Sequence, residues 1–161
     1  MKKGFIGVDK AGSISHFPIV ISSIYAKEYK TFLDTMKEVR KIAVKEKNIF
    51  LNKREIKSRD IKKDNIQKEI VEIIANNLDF FAVIINLRLF EENIAVLFDR
   101  FHSIVPLISS HDSKDNDSIA ISDLLSGFLM RNKALAQKHK DKICILNKSD
   151  IENEIKFLFK L

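Results

Sequence analysis

The sequence predicts an α/β protein with a central mixed β-sheet flanked by helices, and three observations lead to that class. Short β-branched or aromatic runs are separated by longer segments with helical spacing of apolar residues. The chain of 161 residues is 45% hydrophobic and 31% charged, which fits one compact domain with a sizeable core. It contains only 4 glycines and 2 prolines, too few for long linkers. We therefore expect a single domain over residues 1–161, built from strands in runs with helices between them.

The first elements are two strands and a helix. The runs "FIGV" at residues 5–8 and "FPIVISSIY" at 17–25 read as neighbouring strands, with a Gly/Ser-rich turn between them. From residue 26 to about residue 47, apolar residues recur on one helical face with charges opposite. This segment predicts an amphipathic helix.

The middle of the chain predicts a second helix and a pair of strands. "NIFLN" at 48–52 reads as a short strand, and Asp64 reads as a helix cap with Gln67 at the third helical position. The buried face of this helix is expected to hold Ile66, Ile70, Ile73 and Ile74. Two strand runs follow, at 79–90 and 93–100, joined by a short polar turn.

The last third predicts two helices around a strand. Residues 118–140 read as one long helix, and "KICIL" at 142–146 reads as a strand. Ser149 and Glu152 form a capping box for a final helix. Cys144, the only cysteine, lies between isoleucines and is expected to be a buried strand residue.

Cysteine usage and hydropathy bear on the compartment. A single cysteine suits a reducing cytosol, and the longest apolar run is far too short to span a bilayer. The basic start "MKKGF" is followed by Asp9 and Lys10 before a secretory apolar region can form. We expect a soluble, cytoplasmic protein without a membrane partner. Homo-oligomerisation is left open.

The positive charge is concentrated in one segment. The formal net charge is +6, and residues 37–63 hold eleven Lys or Arg against four Asp or Glu. Such a segment attracts phosphate backbones by counterion release and electrostatic steering. The alternative is a solvated lysine-rich face, and the segment holds few aromatic residues for base stacking.

Asp123 is the most unusual acid, because its helix is apolar nearly all round and should be buried. A buried carboxylate needs a partner, either a backbone amide or lysine, or a metal or catalytic site. Asp9 and Asp99 each follow an apolar strand run, where open sheets tend to build sites. Glu55 lies in the basic segment and by default reads as a solvated ion-pair residue. Carboxylates brought together repel one another, and a divalent ion such as Mg²⁺ removes that repulsion.

Four motifs, taken in order, resemble one family. They are "GVDKAGS" at 7–13, "EIKSRDI" at 55–61, "VLFDR" at 96–100 and "DSKDNDSIAISDLLSGFLMR" at 112–131. Together they resemble the bacterial and archaeal domain of unknown function 3800, a branch of the ribonuclease H-like superfamily. The resemblance covers most of the chain. The last motif is the most specific, since Gly127, one turn beyond Asp123, permits close approach of another element.

The resemblance implies a ribonuclease H-like fold whose central mixed sheet carries Asp9 on its first strand. It implies an acidic cluster of Asp9, Glu55, Asp99 and Asp123 as catalytic and metal-binding residues, with Asp112 as a further neighbour. The implied cofactor is Mg²⁺ or Mn²⁺. The expected partner is nucleic acid, DNA or RNA. The basic segment at 37–63 would guide it, and the side chains expected to contact it are Lys53, Arg54, Lys57 and Arg59.

The chain departs from the family at two places. Lys10 stands where the family has an acid, and its ammonium group either neutralises the cluster or points away from Asp9. The family's helical stretch before the third acid is nearly absent.

The resemblance and the basic segment together favour a metal-dependent nuclease or related phosphodiester hydrolase. They also leave open a catalytically silent relative that binds nucleic acid or a protein.

Overall fold

The described sheet is mixed and has four strands. The computed structural model describes residues 4–13, 16–47, 49, 55–85 and 116–146. Within these ranges the strands lie in the order β1, β2, β3, β4, with antiparallel pairing between the first three and a parallel pair between β3 and β4. Their bounds are β1 Phe5–Ser13, β2 His16–Ala26, β3 Asp79–Ile85 and β4 Ile143–Leu146.

The described helices pack with the sheet to form the core. Their bounds are α1 Tyr29–Ala43, α2 Asp64–Asn77, α3 Asp117–Arg131 and α4 Lys133–Lys138, with short 3₁₀ turns at Ser58–Asp60 and Lys140–Lys142. Fully buried side chains come from each layer, including Ile24 of β2, Phe32 of α1, Ile70 of α2 and Phe128 of α3. The predicted α/β class with a mixed sheet flanked by helices is therefore confirmed.

The predicted hairpin is confirmed, but its first strand is longer than expected. Asp9 does not end the strand, because β2 continues to pair with it: Asp9 lies opposite Ser22, and Ala11 lies opposite Val20. The register shifts between Ala11 and Ser13, around Gly12, whose φ of 92° is a conformation that glycine adopts without steric cost.

The first predicted helix is shorter at both ends. Ala26 belongs to β2, where it pairs with Phe5, so α1 begins only at Tyr29 and ends at Ala43. Phe32, Met36 and Val39 of its predicted apolar face are buried, whereas Leu33, which the spacing also placed on that face, is exposed.

Asp64 does not cap α2. It is the first helical residue, and Lys63 occupies the cap position without a side-chain hydrogen bond. Gln67 instead turns inward, and its Nε2 donates to the Ile61 carbonyl at 2.9 Å. Ile66, Ile70 and Ile74 are buried as predicted, while the predicted Ile73 is only partly buried.

The long helix predicted over 118–140 is two helices. Asn132 interrupts it with extended backbone angles, φ −116° and ψ 92°, and its side chain accepts from the Leu135 amide. An asparagine can cap a new helix in this way because its side-chain oxygen replaces a missing backbone acceptor. Cys144 lies on β4 as predicted, but it is only partly buried.

Several predictions fall outside the described residues. These are the strand around 48–52 apart from Ile49, the strand at 93–100 with Asp99, the neighbour Asp112, the final helix, and the basic residues Lys53 and Arg54. Across the described helices, none combines the length and apolar character needed to cross a bilayer.

Candidate functional site

The site is built around α3, which is buried because its sequence is apolar on most of its circumference. Leu124, Leu125 and Phe128 are fully buried in the core. Asp123 lies on the same helix, and 19% of its side chain is exposed. The chain therefore places an ionisable carboxyl at the margin of its own core, where desolvation is costly.

Gly7 lets β1 approach the start of this helix. A Cβ atom at Gly7 would overlap the backbone carbonyl of Ser118 in the first turn of α3. Asp9 shares the face of β1 with Gly7, because alternate strand residues point to the same side. The close approach therefore brings the carboxyl of Asp9 to the helix that carries Asp123.

Two serines fix the register between sheet and helix. The Ser22 hydroxyl donates to the Ser122 carbonyl at 2.9 Å, and the Ser122 hydroxyl donates to the Ser22 carbonyl at 2.8 Å. Both residues are fully buried. Ser22 lies opposite Asp9 in the sheet, and Ser122 precedes Asp123, so this reciprocal pair aligns the two acids.

Gly127 is the contact point for the loop that carries Glu55 and Lys57. A Cβ atom at Gly127 would overlap the side chain of Ser58, which confirms the expected close approach of another element. Arg131, one turn further along α3, donates to the Ser58 carbonyl. The Asp60 carboxylate accepts from the Lys57 amide at 3.0 Å, which links the last residue of the 3₁₀ turn to the residue that precedes the turn.

The loop places the ammonium group of Lys57 among the acids. Its Nζ lies 2.6 Å from Glu55 Oε1 and 3.8 Å from Asp123 Oδ2. Desolvation opposes the charged form of Lys57, but Glu55, Asp123 and Asp9 together raise its pKa. Three carboxyl groups from a strand, a loop and a helix thus act on one ammonium group. From here on, the acidic cluster means its described members Asp9, Glu55 and Asp123, and Lys57 is the cation that acts on them.

Burial raises the pKa of Asp123 to about 6. Lys57 works against this shift, while the nearby carboxyls of Asp9 and Glu55 add to it. Oδ2 of Asp123 is buried and receives no hydrogen bond. Two carboxylates cannot hydrogen-bond to each other without a proton, so the contact with Asp9 favours the protonated form of Asp123.

Lys10 lies on the other face of β1. Ile6 and Val8 on that face are exposed, and so is Lys10. Its amide donates to Asp9 Oδ1 at 2.8 Å. The ammonium group beside Asp123 therefore belongs to Lys57, a residue for which the sequence indicated a nucleic-acid contact.

The structure brings together three of the four predicted acids, Asp9, Glu55 and Asp123. Asp99 lies outside the described residues, as do Lys53 and Arg54. Arg59 is exposed at the 3₁₀ turn. Among the described residues, no group of three or more His, Cys, Asp or Glu side chains is spaced to hold a metal ion.

The basic segment is partly neutralised by its own chain. Lys37 pairs with Asp34 at 2.9 Å, Lys45 pairs with Glu69 at 2.8 Å, and Lys63 lies 3.8 Å from Glu46. The first two pairs are exposed and contribute little stability, and all three reduce the local excess of positive charge. Part of the segment is thus a salt-bridged surface.

Sequence reasoning did not identify the Ser22–Ser122 pair, the contact of Gly7 with α3, or the place of Lys57 within the cluster. The small residues in "ISSI" of β2 and "ISDLLSG" of α3 are a usable signal, because small side chains at matching faces permit close packing of a helix on a sheet. Spacing in the sequence gives no indication of which lysine reaches Asp123.

No family model, curated protein or solved structure matches this chain. What can be concluded about the site rests on its own residues.

Proposed function

We propose that the protein is a metal-dependent phosphodiester hydrolase that acts on nucleic acid, a nuclease with a ribonuclease H-like fold. The observation that carries the proposal is the convergence of Asp9, Glu55 and Asp123 from three separate segments, with a buried Asp123 oxygen that receives no hydrogen bond. A carboxyl in this position is costly to desolvate, and a bound cation would offset that cost.

The donor atoms are of the type that Mg²⁺ and Mn²⁺ prefer, although the described acids are not spaced to hold an ion. Hard divalent ions prefer carboxylate oxygens, and Asp9, Glu55 and Asp123 would hold the ion, with Asp99 as a proposed fourth ligand. When bound, such an ion stabilises charge on the reacting phosphate and activates water. Lys57 contacts the donors directly and supplies positive charge on the same side of the sheet.

Arg59 would orient the substrate strand. It is exposed at the 3₁₀ turn, two residues from Lys57, and a guanidinium group binds phosphate in a bidentate manner. Arg131 contacts the Ser58 carbonyl and holds the loop against α3. With Lys53 and Arg54 as further proposed contacts, the basic side chains would guide nucleic acid to the acidic cluster.

Cleavage assays with end-labelled single- and double-stranded DNA and RNA test this proposal. We expect cleavage with Mg²⁺ or Mn²⁺, none with EDTA, and at least a hundredfold loss in Asp9→Asn and Asp123→Asn. Asp79→Asn is the matched control, because it removes one exposed acid from β3 with the same change in net charge. Cleavage that survives both cluster variants would overturn the proposal.

A second candidate function is a catalytically silent module that binds nucleic acid or a protein. The position of Lys57 favours it, because an ammonium group that already neutralises the acids leaves less need for a metal ion. This alternative predicts nucleic-acid binding that weakens with salt, without cleavage in any metal. The same substrate panel therefore separates the two functions.

A further inference from the structure

We infer that His139 is a pH-sensitive switch. While its ring is neutral, the junction of residues 139–142 between α4 and β4 stays packed on the core, and protonation of the ring releases this junction. The basis is one buried imidazole: His139 is 9% exposed, and its Nε2 atom is buried without a hydrogen-bond partner among the described residues. The inference concerns a different part of the molecule from the acidic cluster and is independent of the proposed function.

The backbone of His139 connects α4 to β4. Its amide donates to the Leu135 carbonyl of α4 at 3.2 Å, and its carbonyl accepts from the Lys142 amide at 2.9 Å, which closes the 3₁₀ turn before β4. Within the described sheet, β4 has four residues and pairs with β3 alone. A displacement of His139 therefore acts directly on a short edge strand.

The neutral ring packs as an apolar side chain would. It lies edge to face with the ring of Phe80 on β3, with 5.7 Å between the ring centroids. The ammonium group of Lys142 lies over the same Phe80 ring, 4.9 Å from its centroid. The surroundings thus suit an uncharged imidazole and oppose a second positive charge.

Charged groups act on the His139 ring from α2, α4 and the junction. On α2, Glu72 Oε1 lies 4.0 Å from Nε2, but this carboxylate already pairs with Lys138 of α4. Burial is the main cause that lowers the pKa of His139, and Glu72 is the main charge that opposes it. Lys138 and Lys142 lower this pKa further, whereas Asp141 raises it. The closed junction therefore disfavours the protonated ring.

Acid shifts the junction toward its open form. In that form the ring is solvated and regains its ordinary pKa of 6.5, whereas the pKa in the closed form is lower. The open form then binds more protons, so the stability of the closed junction is present above pH 6.5 and is lost as the pH falls below it. Between pH 7.5 and pH 5.5 the open population grows by at most about tenfold from this single group.

Cys144, the only cysteine of the chain, provides a native probe of the junction. It lies on β4 and is partly buried. The test measures the rate at which 4,4′-dithiodipyridine modifies Cys144 in the full chain, both in native buffer and in urea, at each pH from 5.5 to 7.5. The ratio of the two rates gives the protection of Cys144 and removes the effect of pH on the thiol itself.

We expect this protection to fall about threefold to tenfold between pH 7.5 and pH 5.5 in the native protein. In His139→Leu, which stays uncharged and keeps an apolar contact with Phe80, it should change less than about twofold. His16→Leu is the matched control, because it removes a histidine of β2 and leaves His139 in place, so its protection should fall as in the native protein. If His139→Leu does not fold, His139→Gln, which is also uncharged throughout this range, takes its place.

Two results overturn the inference. One is native protection that does not change with pH, and the other is an equal fall in the native protein and the His139 variant, since another group then carries the pH dependence. Titration of the His139 ring by NMR checks the native protein independently, and a midpoint at or above pH 6.5 would also contradict the switch. None of these results bears on cleavage of nucleic acid, so the proposed function is tested separately.

Discussion

Replacing Asp123 by asparagine is expected to stabilise the protein at pH 8 and to have little effect at pH 4. Burial raises the pKa of Asp123 from its ordinary value of 3.8 to about 6 in the folded state. Between these two values the folded state binds more protons than the unfolded state, so stability falls as pH rises through this window. The destabilisation is fully present above about pH 7, where Asp123 is ionised in both states.

The size of the effect follows from the shift of about two pKa units. Each unit corresponds to about 1.4 kcal/mol, so the stability of Asp123→Asn relative to the native protein should rise by about 3 kcal/mol between pH 4 and pH 8. Asparagine matches the shape of the neutral carboxyl and removes the desolvation cost. The variant also loses the attraction between the Asp123 carboxylate and Lys57. That attraction lowers the pKa of Asp123, so the value of about 6 already includes it.

Urea unfolding at several pH values, in EDTA, measures this difference, and thermal unfolding gives a check of roughly 2–4 °C per kcal/mol for a chain of this size. The exposed Asp79→Asn variant serves as control and should show no such trend. A difference that stays constant with pH, or an Asp123→Asn protein that is less stable at pH 8, would show that Asp123 is not held in a costly environment.

Two further predictions concern the contacts that assemble the site. Gly7→Ala should destabilise the protein by about 1–3 kcal/mol in urea unfolding, since the new methyl group meets the backbone of Ser118; Gly4→Ala, which would meet only the Tyr25 side chain, should cost less, and equal losses would contradict the proposed packing. Ser122→Ala should cost about 1–2 kcal/mol, and in a double-mutant cycle with Ser22→Ala the two losses should not add, because the two hydroxyl oxygens lie 2.8 Å apart and interact directly. Additive losses would mean that the two hydrogen bonds are independent.

The sequence predicted the elements where periodicity was strong and missed boundaries where a single side chain decides them. The apolar faces of α1 and α2 were predictable because their spacing repeats over several turns. The break at Asn132 was not, because an asparagine can either continue a helix or cap a new one, and neighbouring contacts decide which. The strand β1 runs past Asp9 because β2 supplies its hydrogen bonds, which local sequence does not reveal.

The residues of the candidate site were likewise only partly predictable from the sequence. Asp123 was identifiable from the sequence because a carboxyl on an apolar helix is costly, and Gly127 was identifiable as a close-contact position. The sequence alone thus determined the α/β class, the burial of α3 and the unusual character of Asp123. Only the tertiary structure decided that Asp9, Glu55 and Asp123 meet, and that Lys57 pairs with Glu55 and lies near Asp123. The physical reason is that side-chain periodicity fixes which face of an element is buried, whereas the partner across that face is chosen by long-range packing at Gly7, Gly127 and the Ser22–Ser122 pair.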